Sequence, residues 1–158
     1  MKGSVILLAS NPRGLFLEGI MYGTPSPGTL MTVKAATEPV GTKFTWEPYN
    51  TDGNGVRNLT AVLLEPFHGA SYSTAYVTGE RCRMYVPFAG EEMNMLITHA
   101  GTGTGDSLAI GDMLIAVDGT GLLLQTTGTV ESEPFMALET VADLVIAGSL
   151  CHCIYTGY

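Results

Sequence analysis

The sequence predicts an all-β fold, a compact β-barrel or β-sandwich with an N-terminal arm and at most one or two short helical turns. Three observations carry this. Apolar runs are short and are separated by turn residues. Glycine is abundant, 20 of 158 residues, which is about double the usual share. The clearest periodicity is twofold: in residues 81–86, Cys82, Met84 and Val86 fall on one face and Arg81, Arg83 and Tyr85 on the other. A chain of this length makes one domain, so the expected organisation is an arm or lead-in over residues 1–28 and a single β-rich domain over 29–158.

Residues 1–27 are interrupted by Asn11-Pro12, Gly14, Gly19, Gly23 and Pro25-Ser26-Pro27, a spacing that breaks any long regular element. Residues 30–35 alternate as a strand, with Met31, Val33 and Ala35 on one face, and residues 43–46 are a second candidate. Asp52-Gly53 and Asn54-Gly55 tolerate positive φ and favour tight turns before a strand over 59–65, which Pro66 ends. Pro87 stops the strand over 81–86, and 92–98 reads as a strand or a helical turn. Residues 113–117 and 122–127 form a hairpin across Asp118-Gly119-Thr120-Gly121. The last strands are 135–139 and 150–156, with Val141, Leu144 and Val145 allowing one helical turn between them.

Charge is scarce and uneven. Lys and Arg number 7 against 15 Asp and Glu, a net −8, and 14% of residues are charged where a soluble domain usually has roughly 25%. The acidic balance argues against nucleic acid or an anionic membrane as a partner, and the shortage of charge suggests a surface partly covered by other subunits. All seven basic residues lie at or before Arg83, whereas residues 84–158 hold nine carboxylates and no Lys or Arg. The run Val5-Ile6-Leu7-Leu8-Ala9 is shorter than the ~7–15 residues of a signal core. Cys82, Cys151 and Cys153 are then expected as reduced thiols in a protein made in a cytosol.

Candidate chemistry is thin. Gly101-Thr102-Gly103-Thr104-Gly105-Asp106 suggests a phosphate loop, but the lysine of such loops is missing and nothing basic follows. Cys151-His152-Cys153 offers soft ligands, yet in a strand the two thiols face opposite to the imidazole and no second ligand pair completes a tetrahedron. His68 and His99 stand apart from carboxylates in sequence, and no nucleophile elbow is present. Asp52-Gly53-Asn54-Gly55 lacks the later glutamate of a calcium loop. Arg81 and Arg83 could bind an anion or pair with carboxylates of a neighbouring subunit. No catalytic residue, metal ligand or cofactor is assigned, and the chain is expected not to be an enzyme.

The segment Tyr76 to Leu96, YVTGERCRMYVPFAGEEMNML, resembles a recurring segment of tailed-bacteriophage head proteins. Downstream, Ile110-Gly111-Asp112-Met113-Leu114, Asp118-Gly119-Thr120-Gly121, Phe135-Met136-Ala137-Leu138-Glu139 and the terminal strand follow in the order seen in small capsid decoration, or cement, proteins. Pro27-Gly28-Thr29-Leu30 and Ala61-Val62-Leu63-Leu64-Glu65 also fit. The resemblance covers much of residues 18–156, while the start of the chain and residues 42–58 have no clear counterpart.

That resemblance implies a virion structural protein on the outer surface of an icosahedral phage head. It would stabilise the shell by cementing neighbouring major capsid proteins, commonly as a trimer. Lys2 and Arg13, in an arm that could reach a neighbour, are the expected capsid contacts. An alternative is a capsid-surface binding module or fibre base that engages glycans or a host surface through Tyr72, Tyr76, Tyr155 and Tyr158. A small trimeric nucleotide hydrolase is a third reading, which needs a His or carboxylate cluster at a subunit interface.

Overall fold

Alternation along residues 81–86 turns Cys82 and Met84 into an apolar interior where neither is exposed, and the described residues hold nine further strands. The structure is a computed structural model and describes residues 14–34, 44–50, 59–66, 73–98, 107–126, 135–142 and 148–157. Among the described residues there is no helix, and the fold is all-β. The expected helical turn around Leu144 and Val145 lies outside the described residues, and Val141 makes an isolated bridge with Leu108.

The ten strands close into two five-stranded barrels where the sequence suggested one. The first holds β1 (Leu15–Met21), β2 (Leu30–Val33), β3 (Phe44–Pro48), β4 (Thr60–Leu63) and β5 (Arg81–Val86), in the order β1-β3-β2-β4-β5. The second holds β6 (Glu92–Ile97), β7 (Met113–Ala116), β8 (Leu123–Gln125), β9 (Phe135–Ala137) and β10 (Ser149–Tyr155), in the order β6-β8-β7-β9-β10. Closure pairs the strand edges that an open sheet would expose.

These orders are the same order, and the registers agree throughout. Gly19 faces Cys82 as Met95 faces Cys151. Leu63 faces Met84 as Ala137 faces Cys153, and Met31 faces Ala61 as Leu114 faces Phe135. Val33 faces Trp46 as Ala116 faces Leu123, and the parallel pair Met21 and Trp46 becomes Ile97 and Leu123. Turn hydrogen bonds repeat as well: Gly28 N donates to Leu63 O and Gly111 N to Ala137 O, both at 2.9 Å. The chain is a structural duplication. Across matched strand positions the residue types differ except at Cys82 and Cys151.

Each interior is filled differently. In the first barrel, Met21, Met31, Trp46, Ala61, Leu63, Cys82 and Met84 form the core. A Cβ on Gly19 would come within 2.3 Å of Trp46 Cδ1, so the indole occupies the space that a side chain at 19 would need. In the second barrel, the matching positions are Met95 and Leu123, a larger residue on the first strand and a smaller one on the third. The swap conserves volume, as close packing requires.

This pairing corrects the expected arm. Residues 15–21 are a barrel strand, with Leu17, Gly19 and Met21 turned inward. Gly19 reads as a breaker in sequence, yet it lies mid-strand because Trp46 fills its place. The expected boundary at residue 28 therefore falls inside the first barrel, and residues 1–13 lie outside the described residues.

The barrels join through backbone and apolar contacts. Leu30 and Val62 point out of the first barrel and belong to the apolar cluster of the second. Leu96 N donates to Gly28 O at 2.9 Å, Leu30 N to Gly121 O at 2.9 Å, and Gly119 N to Tyr49 O at 2.7 Å. Between β6 and β8 the ladder has one pair, Ile97 with Leu123. Residues 28–30 bond to both sides of that seam and help to close it.

Candidate interaction surface

Outward positions of a closed barrel meet water or a partner, so apolar residues there are informative. Leu15 is 58% exposed and Phe16 47%, both at the start of β1, and Phe88, 58% exposed, lies just past the end of β5. Because Leu15 faces Val86 in register, the three sit at one end of the β1–β5 ladder. Tyr22, just past the end of β1, and Phe44, which pairs with Gly19 at the start of β3, are also exposed. Lys34 Nζ stands 3.4 Å above the Tyr22 ring and 3.1 Å from Glu47 Oε2. Burial lowers the Lys34 pKa, but the hydrogen bond and charge of Glu47, with help from Tyr22, outweigh it and leave the ammonium raised.

Behind the Phe16 end lies a buried polar knot. Glu91, 6% exposed, accepts hydrogen bonds from Tyr85 Oη at 2.7 Å, Phe88 N at 2.8 Å and Gly14 N at 3.2 Å. Gly14 N also donates to Tyr85 Oη at 2.7 Å. Burial first, and then the bond to Glu91, push the Tyr85 phenol up to about 12. The knot ties the start of β1 to the turn that links the barrels and holds Phe16 across the Tyr85 ring, with centroids 4.9 Å apart. Tyr85 shares the outward face of Arg81 and Arg83, as the alternation places it, but is 1% exposed because Phe16 and Glu91 cover it.

The Cys-His-Cys strand alternates as expected. Cys151 and Cys153 are unexposed thiols in no disulfide, and His152 faces out with Nε2 3.0 Å from Glu92 Oε2. His152 N donates to Glu139 Oε1 at 2.8 Å. Among the described residues no group of three or more His, Cys, Asp or Glu is placed to hold a metal ion. Cys82 is buried in the other barrel, where desolvation pushes its thiol up to about 12.

Tyr76, offered above as an exposed sugar-stacking ring, is 1% exposed and donates from Oη to Leu64 O at 3.0 Å. Tyr155 is half-buried against Phe135, with ring centroids 5.2 Å apart. Lys2, Arg13, His68, Tyr72, His99, Tyr158 and the glycine-rich stretches over 51–58 and 101–106 lie outside the described residues. Sequence reasoning missed the exposed pair Leu15 and Phe16, because the glycines around them read as an irregular lead-in, and it missed Glu91, to which only the fold brings Gly14. One available signal for the repeat was Gly-x-x-Cys, present as Gly79-Glu80-Arg81-Cys82 and as Gly148-Ser149-Leu150-Cys151.

In comparisons with known proteins, no family model matches the chain and no curated protein matches it.

Proposed function

We propose that the chain is a virion structural protein of the cement type, binding the outside of an icosahedral phage head as a homo-oligomer, a trimer, and bridging neighbouring major capsid proteins. The observation that carries this reading is the exposed apolar end of the first barrel, Leu15, Phe16 and Phe88, held rigid by the buried Glu91 knot. An apolar patch backed by a fixed framework binds protein at low ordering cost. The low charge of the sequence supports extensive subunit contact, and the resemblance of residues 76–96 to phage head segments supports the choice of partner.

The test compares phage particles made with and without the gene by electron microscopy, and adds purified protein back to the depleted heads. Extra density on the outer shell and co-sedimentation of the added protein are expected. Phe16→Glu combined with Phe88→Glu should abolish co-sedimentation while leaving circular dichroism unchanged. Heads that look the same with and without the gene, together with retention of the isolated protein on a glycan array, would replace this reading by the sugar-binding one.

A further inference from the structure

The two barrels share one pairing scheme but not one environment. In the first, Leu30 and Val62 face each other in register on β2 and β4, point outward and are 1% exposed, because the second barrel lies over them. The same positions in the second barrel are Met113 and Met136, paired in the same way, with Ile154 of β10 beside Met136. These three apolar side chains are partly exposed. Ile110, in the turn before β7, is 67% exposed, whereas its counterpart Pro27 is buried.

The covering side is also present twice. The second barrel meets the first through Leu96, whose N–H bonds Gly28 O, and through Leu150, its register neighbour on β10. The counterparts in the first barrel are Ile20 and its neighbour Arg81. Ile20 is partly exposed and Arg81 exposed, and Tyr22, the next outward position along, is 47% exposed.

We propose that the chain associates head to tail with a second copy of itself. The face of Met113, Met136 and Ile154 on one copy seats on the face of Ile20, Tyr22 and Arg81 on the next, repeating between chains the contact the barrels make within one. Charge selects this pairing over the meeting of like faces. Asp112 and Glu92 flank the methionine face, and residues 84–158 carry no Lys or Arg, whereas Arg81 lies on the other face. Two methionine faces would bring acid onto acid.

One difference sets the strength of the contact. The seam between β1 and β3 is closed by three residue pairs, where that between β6 and β8 has one and takes residues 28–30. Contact between chains is therefore made by side chains alone and depends on concentration. A heterologous contact of this kind closes into a ring when its rotation allows, and a ring of three chains would carry six barrels. The inference needs only copies of this chain and no shell; it gives the oligomer of the virion reading a specific contact, while attachment to heads is tested separately.

Sedimentation velocity of the purified full-length protein, at neutral pH and low salt over a wide concentration range, tests it. Wild type should self-associate. Met136→Glu and Ile20→Glu, both at partly exposed positions, should each weaken association by about thirtyfold or more, the effect of a central interface residue. An equimolar mixture of the two variants should form a one-to-one heterodimer and nothing larger, since each supplies the face the other lacks. Circular dichroism checks that both variants fold; if either does not, Arg81→Glu, at an exposed position, should weaken association and reverse its salt dependence, since salt then screens a repulsion. A monomeric wild type, a mixture that stays monomeric, or dependence on one face alone would overturn the proposal.

Discussion

Gly79 and Gly148 hold the same place in the two barrels: each donates its N–H to the residue that ends the first strand, Met21 at 2.8 Å and Ile97 at 2.9 Å. Their φ angles are 89° and 90°, a left-handed conformation in which a side chain clashes with its own backbone. Each turn launches the last strand of its barrel, and three residues later Cys82 and Cys151 enter the two cores. The register of closure is set at this point.

Gly79→Ala and Gly148→Ala should therefore cost nearly the same. Neither glycine has an atom within 4 Å of an added Cβ, so only backbone strain remains, about 1–2 kcal/mol each. Urea unfolding of the two variants measures this. A difference between them as large as the strain itself would show that the two turns are not equivalent.

Gly19→Ala tests a different mechanism at ordinary strand geometry. The new methyl would meet Trp46 Cδ1 at 2.3 Å and Phe44 O at 2.6 Å, and a backbone oxygen cannot swing away. Overpacking of this sort costs about 1–3 kcal/mol or more. Trp46 is the one tryptophan of the chain and lies in the first core, so its emission reports on that barrel. A red shift of the emission with loss of stability is expected; unchanged emission and stability would mean that the indole has room to move.

Eight of the ten strands are legible in the sequence as short runs bounded by turn residues, the run over 81–86 matching β5 residue for residue, while β6 reads equally as a strand or a helical turn. The tenth, β1, is hidden by Gly19, whose partner Trp46 is distant in sequence. Duplication is hidden for a related reason: a core position is fixed by volume shared with its neighbours, so glycine with tryptophan in one barrel can stand for methionine with leucine in the other. Backbone-determined positions keep their identity, as Gly28 and Gly111 do at φ of 89° and 93°. The exposed end formed by Leu15, Phe16 and Phe88 depends on where β1 pairs, and was illegible without that strand.

The knot around Glu91 predicts a strong effect from a small change. Tyr85→Phe removes one hydroxyl, so Glu91 Oε2 keeps only the bond from Phe88 N of the two described above and Gly14 N keeps only its longer bond to Glu91 Oε1 at 3.2 Å. A lost hydrogen bond costs about 0.5–1.5 kcal/mol net, so the loss in denaturant stability should fall in that range for each of the two bonds even though the ring is kept. Amide exchange should rise at Gly14 first, since that N–H starts β1. A neutral substitution would mean that water replaces the hydroxyl.

Alkaline pH should loosen the first barrel through Cys82. Its thiol stands at about 12 in the folded protein, above its ordinary 9.0, so the folded state keeps a proton that the unfolded chain gives up. The resulting stability is complete below pH 9, declines as pH rises above it, and is gone once pH has passed the folded value. Tyr85, raised from 10.0 to about 12, adds a decline of the same sign that starts about one pH unit later. Cys82→Ala removes the first contribution and keeps the second, so the stability gap between wild type and variant should shrink as pH rises from 9 to 10, before the phenol takes part. Melting temperatures of both proteins across this range give the answer, with Trp46 emission confirming that the first barrel is the part that responds. A gap that stays constant from pH 8 to 11 would show that water reaches the Cys82 thiol and that its burial imposes no proton linkage.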